Sequence, residues 1–167
     1  HEPLHACGRT HLSPCHQRLR TEMSSPISLP ADIHRSAQRG ELQKVVKWLR
    51  KGGVVDALCS APTTDGRPST FALLHAAAGY GQLEMAKMLL KRGANIDLQT
   101  SLGSTALMNA AGHGHLSTLL VLLQHSADPD LQNIYGQTAL MEAAHKRKET
   151  CVTALLQAKA NPELLDK

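Results

Sequence analysis

Aromatic side chains are almost missing from this 167-residue chain: one Trp, one Phe and two Tyr, 2% of the whole. A core without large rings has to be assembled from Leu, Ala, Val and Met, which suits thin stacked elements. The same scarcity removes the platforms on which unpaired bases stack. Charge of one sign is not concentrated either. The formal net charge is +4, from 18 Lys and Arg against 14 Asp and Glu, and the basic residues are interleaved with acids instead of forming one arm. Nucleic acid is therefore not an expected partner. The longest apolar run, Leu119 to Leu123, is five residues, far below the ~20 that cross a bilayer. Membrane insertion is not expected. The four cysteines, Cys7, Cys15, Cys59 and Cys151, have no framework spacing, so reduced thiols in the cytosol or nucleus are the simplest reading. The N-terminal stretch also lacks the apolar core of a secretory signal.

What the chain has is self-similarity. Thr-Ala-Leu-Met-x-Ala-Ala spans Thr105 to Ala111 and again Thr138 to Ala144, an offset of 33 residues. Stepping back by the same interval aligns Leu74, Ala77, Ala78 and Gly81 with Leu107, Ala110, Ala111 and Gly114. A fixed period of this length signals a repeat architecture. In the clearest copy, Leu116, Leu119, Leu120, Leu122 and Leu123 form the stripe of an amphipathic helix, closed by the turn Asp128-Pro129. A shorter helix precedes it. Thr105 is placed to cap its start, Ala110 and Ala111 let a neighbour approach closely, and Gly114 ends it. Such a helical hairpin cannot bury its apolar face alone and must stack on a copy of itself.

These residues resemble the ankyrin repeat. Leu74-His75-Ala76-Ala77-Ala78, followed by Gly81-Gln-Leu-Glu-Met-Ala-Lys-Met-Leu-Leu-Lys-Arg-Gly-Ala-Asn-Ile-Asp97, matches that pattern almost residue by residue. A divergent first copy lies at His34 to Ala37, Gly40 to Leu49 and Gly52 to Asp56. The resemblance implies an all-α solenoid of stacked helix-turn-helix units with β-hairpin-like loops. Four repeats are expected at about 31–57, 70–101, 102–134 and 135–167, preceded by a disordered segment over 1–30. The step from Gly40 to Gly81 is 41 residues, so a Pro-, Thr- and Ser-rich insert over 58–69 reads as a loop.

Departures from the family pattern are local. Its His after Leu is kept as His34 and His75 but becomes Met108 and Met141, and its inter-helix Gly-His becomes Arg147-Lys148 in unit four. Together with the weaker stripe of Thr150 to Leu156, this predicts looser packing there. Arg35, Gln38, Lys44 and Lys47 dilute unit one into a polar cap. Unit four carries little sign of a cap, so a longer repeat array is one expectation, and Met23 is a candidate start of the native chain.

No constellation of catalytic or metal-binding residues stands out. His5, Cys7, His11, Cys15 and His16 lack the paired spacing of a zinc site. His113 and His115 fall at the inter-helix turn, where the family pattern itself places His, and His145 with Glu142 has no orienting third group. Gly79, Gly81, Gly112 and Gly114 follow no strand and precede no Lys-Ser/Thr, which excludes a phosphate loop. No catalytic activity, cofactor or metal is expected. Two basic runs, Lys44 to Lys51 and His145 to Lys148, read as solvated faces or as contacts for an acidic partner.

The resemblance implies a non-catalytic protein-interaction module working through a concave groove and its loop tips. Carried over by position, the candidate partner-binding residues are Arg35, Gln38 and Arg39 from unit one and Tyr80 from unit two. Unit three adds Leu102, Ser104, Asn109 and His113, and unit four adds Tyr135, Gln137, Glu142, His145 and Lys146. A monomer with an acidic or mixed-polarity protein partner is expected. The alternatives are the ankyrin portion of a larger enzyme, such as a kinase, acyltransferase or ubiquitin ligase, and a structural spacer.

Overall fold

A computed structural model describes residues 28–62 and 68–164. Among these described residues eight helices follow in pairs: α1 (Ala31–Gln38) with α2 (Leu42–Arg50), α3 (Leu73–Gly79) with α4 (Leu83–Lys91), α5 (Ala106–His113) with α6 (Leu116–Gln124), and α7 (Ala139–His145) with α8 (Glu149–Gln157). The first helices stack in one row, α1 on α3 on α5 on α7, and the second helices α4, α6 and α8 stack in another. The chain is an all-α solenoid. The expected N-terminal disorder over 1–27, Met23 and the His5 to His16 cluster fall outside the described residues. Leu29, read within that segment, is buried at 3% exposure and donates its N–H to the Leu58 carbonyl at 3.0 Å.

The starts of the first helices are held in two ways. In α5 and α7 the Thr105 and Thr138 hydroxyls accept from the Met108 and Met141 N–H groups at 3.3 and 3.4 Å, the expected N-cap. Ala72, at the same position before α3, has no hydroxyl. There His75 Nδ1 accepts from the Ala72 N–H at 3.2 Å, while Nε2 donates to the Leu98 and Ser104 carbonyls at 2.8 and 3.2 Å. The residue pair therefore changes together: Ala72 with His75, Thr105 with Met108, Thr138 with Met141. Burial holds His75 neutral and pushes its pKa down to about 4, against the opposing pull of those two carbonyls.

Core positions follow the period. Ala77, Ala110 and Ala143 are fully buried between first helices, as are Leu89, Leu122 and Leu155 on the second helices. At these two positions unit four packs as completely as the others, but elsewhere it is looser, as its sequence predicts: Met141 is half-buried and Ala144 exposed where Met108 and Ala111 are buried. Leu156 is likewise 47% exposed where Leu90 and Leu123 are half-buried. One member of the expected α6 stripe also departs: Leu120 is 41% exposed. It occupies the outer-face position held by Val46, Lys87 and Thr153 in the other units.

The insert read as a loop contains two short strands, β1 (Cys59–Pro62) and β2 (Pro68–Phe71), paired antiparallel with Cys59 opposite Phe71. Thr70 and Ser101 exchange bonds, each backbone N–H donating to the other's hydroxyl at 3.2 and 3.0 Å. That contact ties the hairpin to the next loop, 31 residues along the chain. The later loops close as tight hairpins, with Thr100 N–H donating to Ser104 O at 2.9 Å and Asn133 N–H to Gln137 O at 3.0 Å.

Two ladders register the units. Gln82 donates to the Gln38 carbonyl at 2.8 Å, and His115, at the equivalent position, donates through Nε2 to the Gly79 carbonyl at 3.1 Å. At the opposite end of the helices, Asp56 accepts from the Asn95 N–H at 3.0 Å, Asp97 from Asp128 at 3.0 Å and Asp130 from Asn161 at 2.7 Å. Charge-assisted bonds to backbone N–H groups are among the stronger hydrogen bonds, and each one here fixes a unit to its neighbour.

Candidate functional site

Positions shared between units point into the stack, so the side chains that differ between copies are left on the exposed edges of the first helices and on the loop tips. Five of the expected residues converge. Ser104 from the loop, Asn109 and His113 from α5, and Glu142 and Lys146 from α7 line one pocket of about 220 Å³, together with Met108 and Gly112. The pocket forms because Asn109 and Glu142 occupy equivalent positions on adjacent stacked helices, and so do Gly112 and His145.

Its chemistry is mixed. The Glu142 carboxylate lies against Gly112, where a methyl in place of hydrogen would meet Oε2 at 3.5 Å. Asn109 offers an amide, Lys146 an ammonium on the rim, and Ser104 a hydroxyl whose neighbouring carbonyl is already engaged by His75. His113 donates through Nδ1 to the Asn109 carbonyl at 2.9 Å. It also stacks on His115, with ring centroids 6.1 Å apart at an interplanar angle of 6°. That stack joins the pocket edge to the ladder between units. The pocket presents acceptors and donors side by side, with a Met side chain and a bare glycine supplying its apolar surface.

The other expected residues lie apart from this pocket. Arg35 is exposed on α1, and Arg39 follows its end with a guanidinium 3.9 Å from the Glu41 carboxylate. Gln38 is half-buried, its carbonyl taken by Gln82. Tyr80 stands 58% exposed after α3. Leu102 is half-buried in its loop, and its carbonyl accepts from the Ile134 N–H at 3.1 Å. Tyr135 is 42% exposed at the next loop tip. Gln137 is held in that loop, its N–H donating to Asn133 Oδ1 at 3.0 Å. His145 is exposed on α7, outside the pocket lining.

Sequence reasoning missed Met108 as a pocket residue, because a Met in a repeated core motif reads as packing, and indeed it is 3% exposed. It also missed the ladder role of Gln82 and His115, although their alignment one residue after Gly81 and Gly114 carried the signal. Among the described residues no group of three or more His, Cys, Asp or Glu is arranged to hold a metal, and no helix is long and apolar enough to cross a membrane.

A family model described as ankyrin repeats (3 copies) matches residues 73–166, more than half of the chain. A comparison with curated proteins found no match. Ankyrin repeats are generally protein-interaction modules and typically non-catalytic. With its paired helices, two stacked rows and matching repeats, this chain belongs to the ankyrin-repeat family.

Proposed function

We propose that the chain is a non-catalytic binding module that takes a segment of a mixed-polarity protein partner against the first-helix row, centred on the pocket between α5 and α7. The observation that carries the reading is convergence. Ser104, Asn109, His113, Glu142 and Lys146 come from two units and a loop, yet they line one recess. The copies differ at these positions while sharing their packing residues. A partner group with both a donor and an acceptor, such as an extended backbone or an amide side chain, donates to Glu142 of α7 and accepts from Asn109 of α5 or from Lys146 one turn beyond Glu142. Partly desolvated contacts of this kind give specificity, because a mismatched guest leaves them unpaired.

The test begins with affinity purification of the chain from its own cells and identification of the bound protein. Binding of that protein is then measured for Asn109→Ala with Lys146→Ala. We expect affinity to fall at least tenfold with the far-UV helical signal unchanged. Undiminished affinity removes the pocket from the site. Gly112→Ala sharpens the result: its methyl makes only ordinary contact with Glu142 and favours the helix, so binding weakens while stability rises.

A further inference from the structure

The second-helix row carries another recess that the reading above leaves unused. Leu42, Gln43 and Val46 of α2 and Glu84, Lys87, Met88 and Lys91 of α4, with Arg92 beyond it, line a groove of about 410 Å³. It opens because α2 and α4 approach each other less extensively than α4 and α6 or α6 and α8 do. Leu42, Val46 and Met88 are consequently only half-buried along its floor.

Its charge is one-sided. At the starts of the helices the acids are taken up within the chain, Glu84 by Lys87 at 2.9 Å and Glu41 by Lys44 at 2.6 Å. At the other end Lys47, Arg50, Lys51, Lys91 and Arg92 are all exposed, and none makes an ion pair among the described residues. Lining positions Glu84, Lys87, Met88 and Lys91 recur at intervals of three and four along one face of α4. A recess bounded by parallel helical ridges, apolar below and cationic at one end, fits a guest helix with an apolar stripe and acidic flanks.

We propose that this groove is a second docking surface, which receives a short amphipathic helix of a partner protein with acidic residues beside its apolar face. Each wall is a helix of nine residues, about 13 Å long, so a guest of about three turns spans it. A bilayer fits less well, since the apolar side chains line the floor of a recess instead of protruding. Nucleic acid finds no exposed ring to stack on there. A second copy of this chain lacks the guest, because none of its described helices contains more than one acidic residue.

The experiment uses the full chain and a fluorescein-labelled 14-residue helical peptide with Leu and Met on one face and Glu on its flanks. Anisotropy measures affinity, and amide NMR shifts locate the site. The expected result is saturable binding that perturbs α2 and α4, weakens with salt, and falls at least tenfold in Lys91→Glu with Arg92→Glu. Met88→Ala lowers it severalfold, whereas Asn109→Ala with Lys146→Ala leaves it unchanged, so this inference and the first-helix site fail separately. No saturable binding, equal binding of a scrambled peptide lacking the apolar face, or equal binding of a peptide with Lys for Glu overturns the proposal. So does competition by phosphatidylserine vesicles, or dimerisation of the chain through α2 and α4.

Discussion

Units two and three are flanked by copies of themselves, whereas unit four packs on one side only among the described residues, and the same positions fare differently in each setting. On the second helices Leu89, Leu122 and Leu155 are equally buried at 0% exposure. One residue farther on, Leu90 and Leu123 are half-buried and Leu156 is 47% exposed. The turn between helices diverges as well. Gly81 and Gly114 take φ of 67° and 81°, and Arg147 is held at 55° in the same left-handed turn, a conformation that costs a residue with a Cβ roughly 1 kcal/mol. Burial in this fold thus tracks neighbours, while turn chemistry is set locally: unit four keeps Leu155 buried, exposes Leu156 and has Arg147 where the other turns have glycine.

The largest expected effect separates the interior from the end. Leu122→Ala removes a buried side chain between flanked units and should lower stability by about 3 kcal/mol, shifting the urea midpoint read by far-UV signal and by Trp48 fluorescence alike. Leu155→Ala should instead loosen unit four alone, since stability in stacked repeats is a sum of units and nearest interfaces. It moves the far-UV transition but not that of Trp48, the chain's one Trp, which lies in unit one. Coincident shifts of both probes in Leu155→Ala would erase the distinction.

Acid provides the next test, because only unit two uses the Ala72 and His75 device in place of a Thr cap. His75 is neutral when folded, with its pKa depressed from 6.5 to about 4. Its contribution is therefore full above pH 6.5 and is lost as the unfolded chain takes up a proton that the folded chain refuses. The loss is on the order of 3 kcal/mol between pH 6.5 and 4. His34, whose pKa burial also lowers, adds in the same direction. In His75→Phe the fall of stability with acidification should be markedly shallower; an unchanged slope would assign the effect elsewhere.

A smaller gain is expected from Thr118→Val. The Thr118 hydroxyl is buried without a hydrogen-bond partner among the described residues, at the position that Met85 and Cys151 fill in units two and four. Replacing it with an apolar group of the same shape should add about 1 kcal/mol, measured by urea unfolding. Smallest of all, Arg147→Gly should raise the stability of unit four by about 0.5–1 kcal/mol, seen as slower amide exchange in α7 and α8.

Much of the fold was legible because the packing residues repeat as letters: Leu107 with Leu140, Ala110 with Ala143, Thr105 with Thr138. The insert was not. Its strands read Cys-Ser-Ala-Pro and Pro-Ser-Thr-Phe, too short and too proline-bounded to show alternation, and the hairpin is tied down by Ser101, far along the chain. For the site, the differences between Asn109 and Glu142 pointed to the right helix faces. Sequence alone did not separate the residues that share a recess from Arg35, Tyr80 or Tyr135, because that depends on how closely α5 and α7 stack.

Amide hydrogen exchange of the full chain, with and without the protein recovered from its own cells, tests the binding face most directly. The account predicts slower exchange on binding in residues 104–113 and 138–146. Unchanged exchange across α5 and α7 while that protein is bound would contradict it.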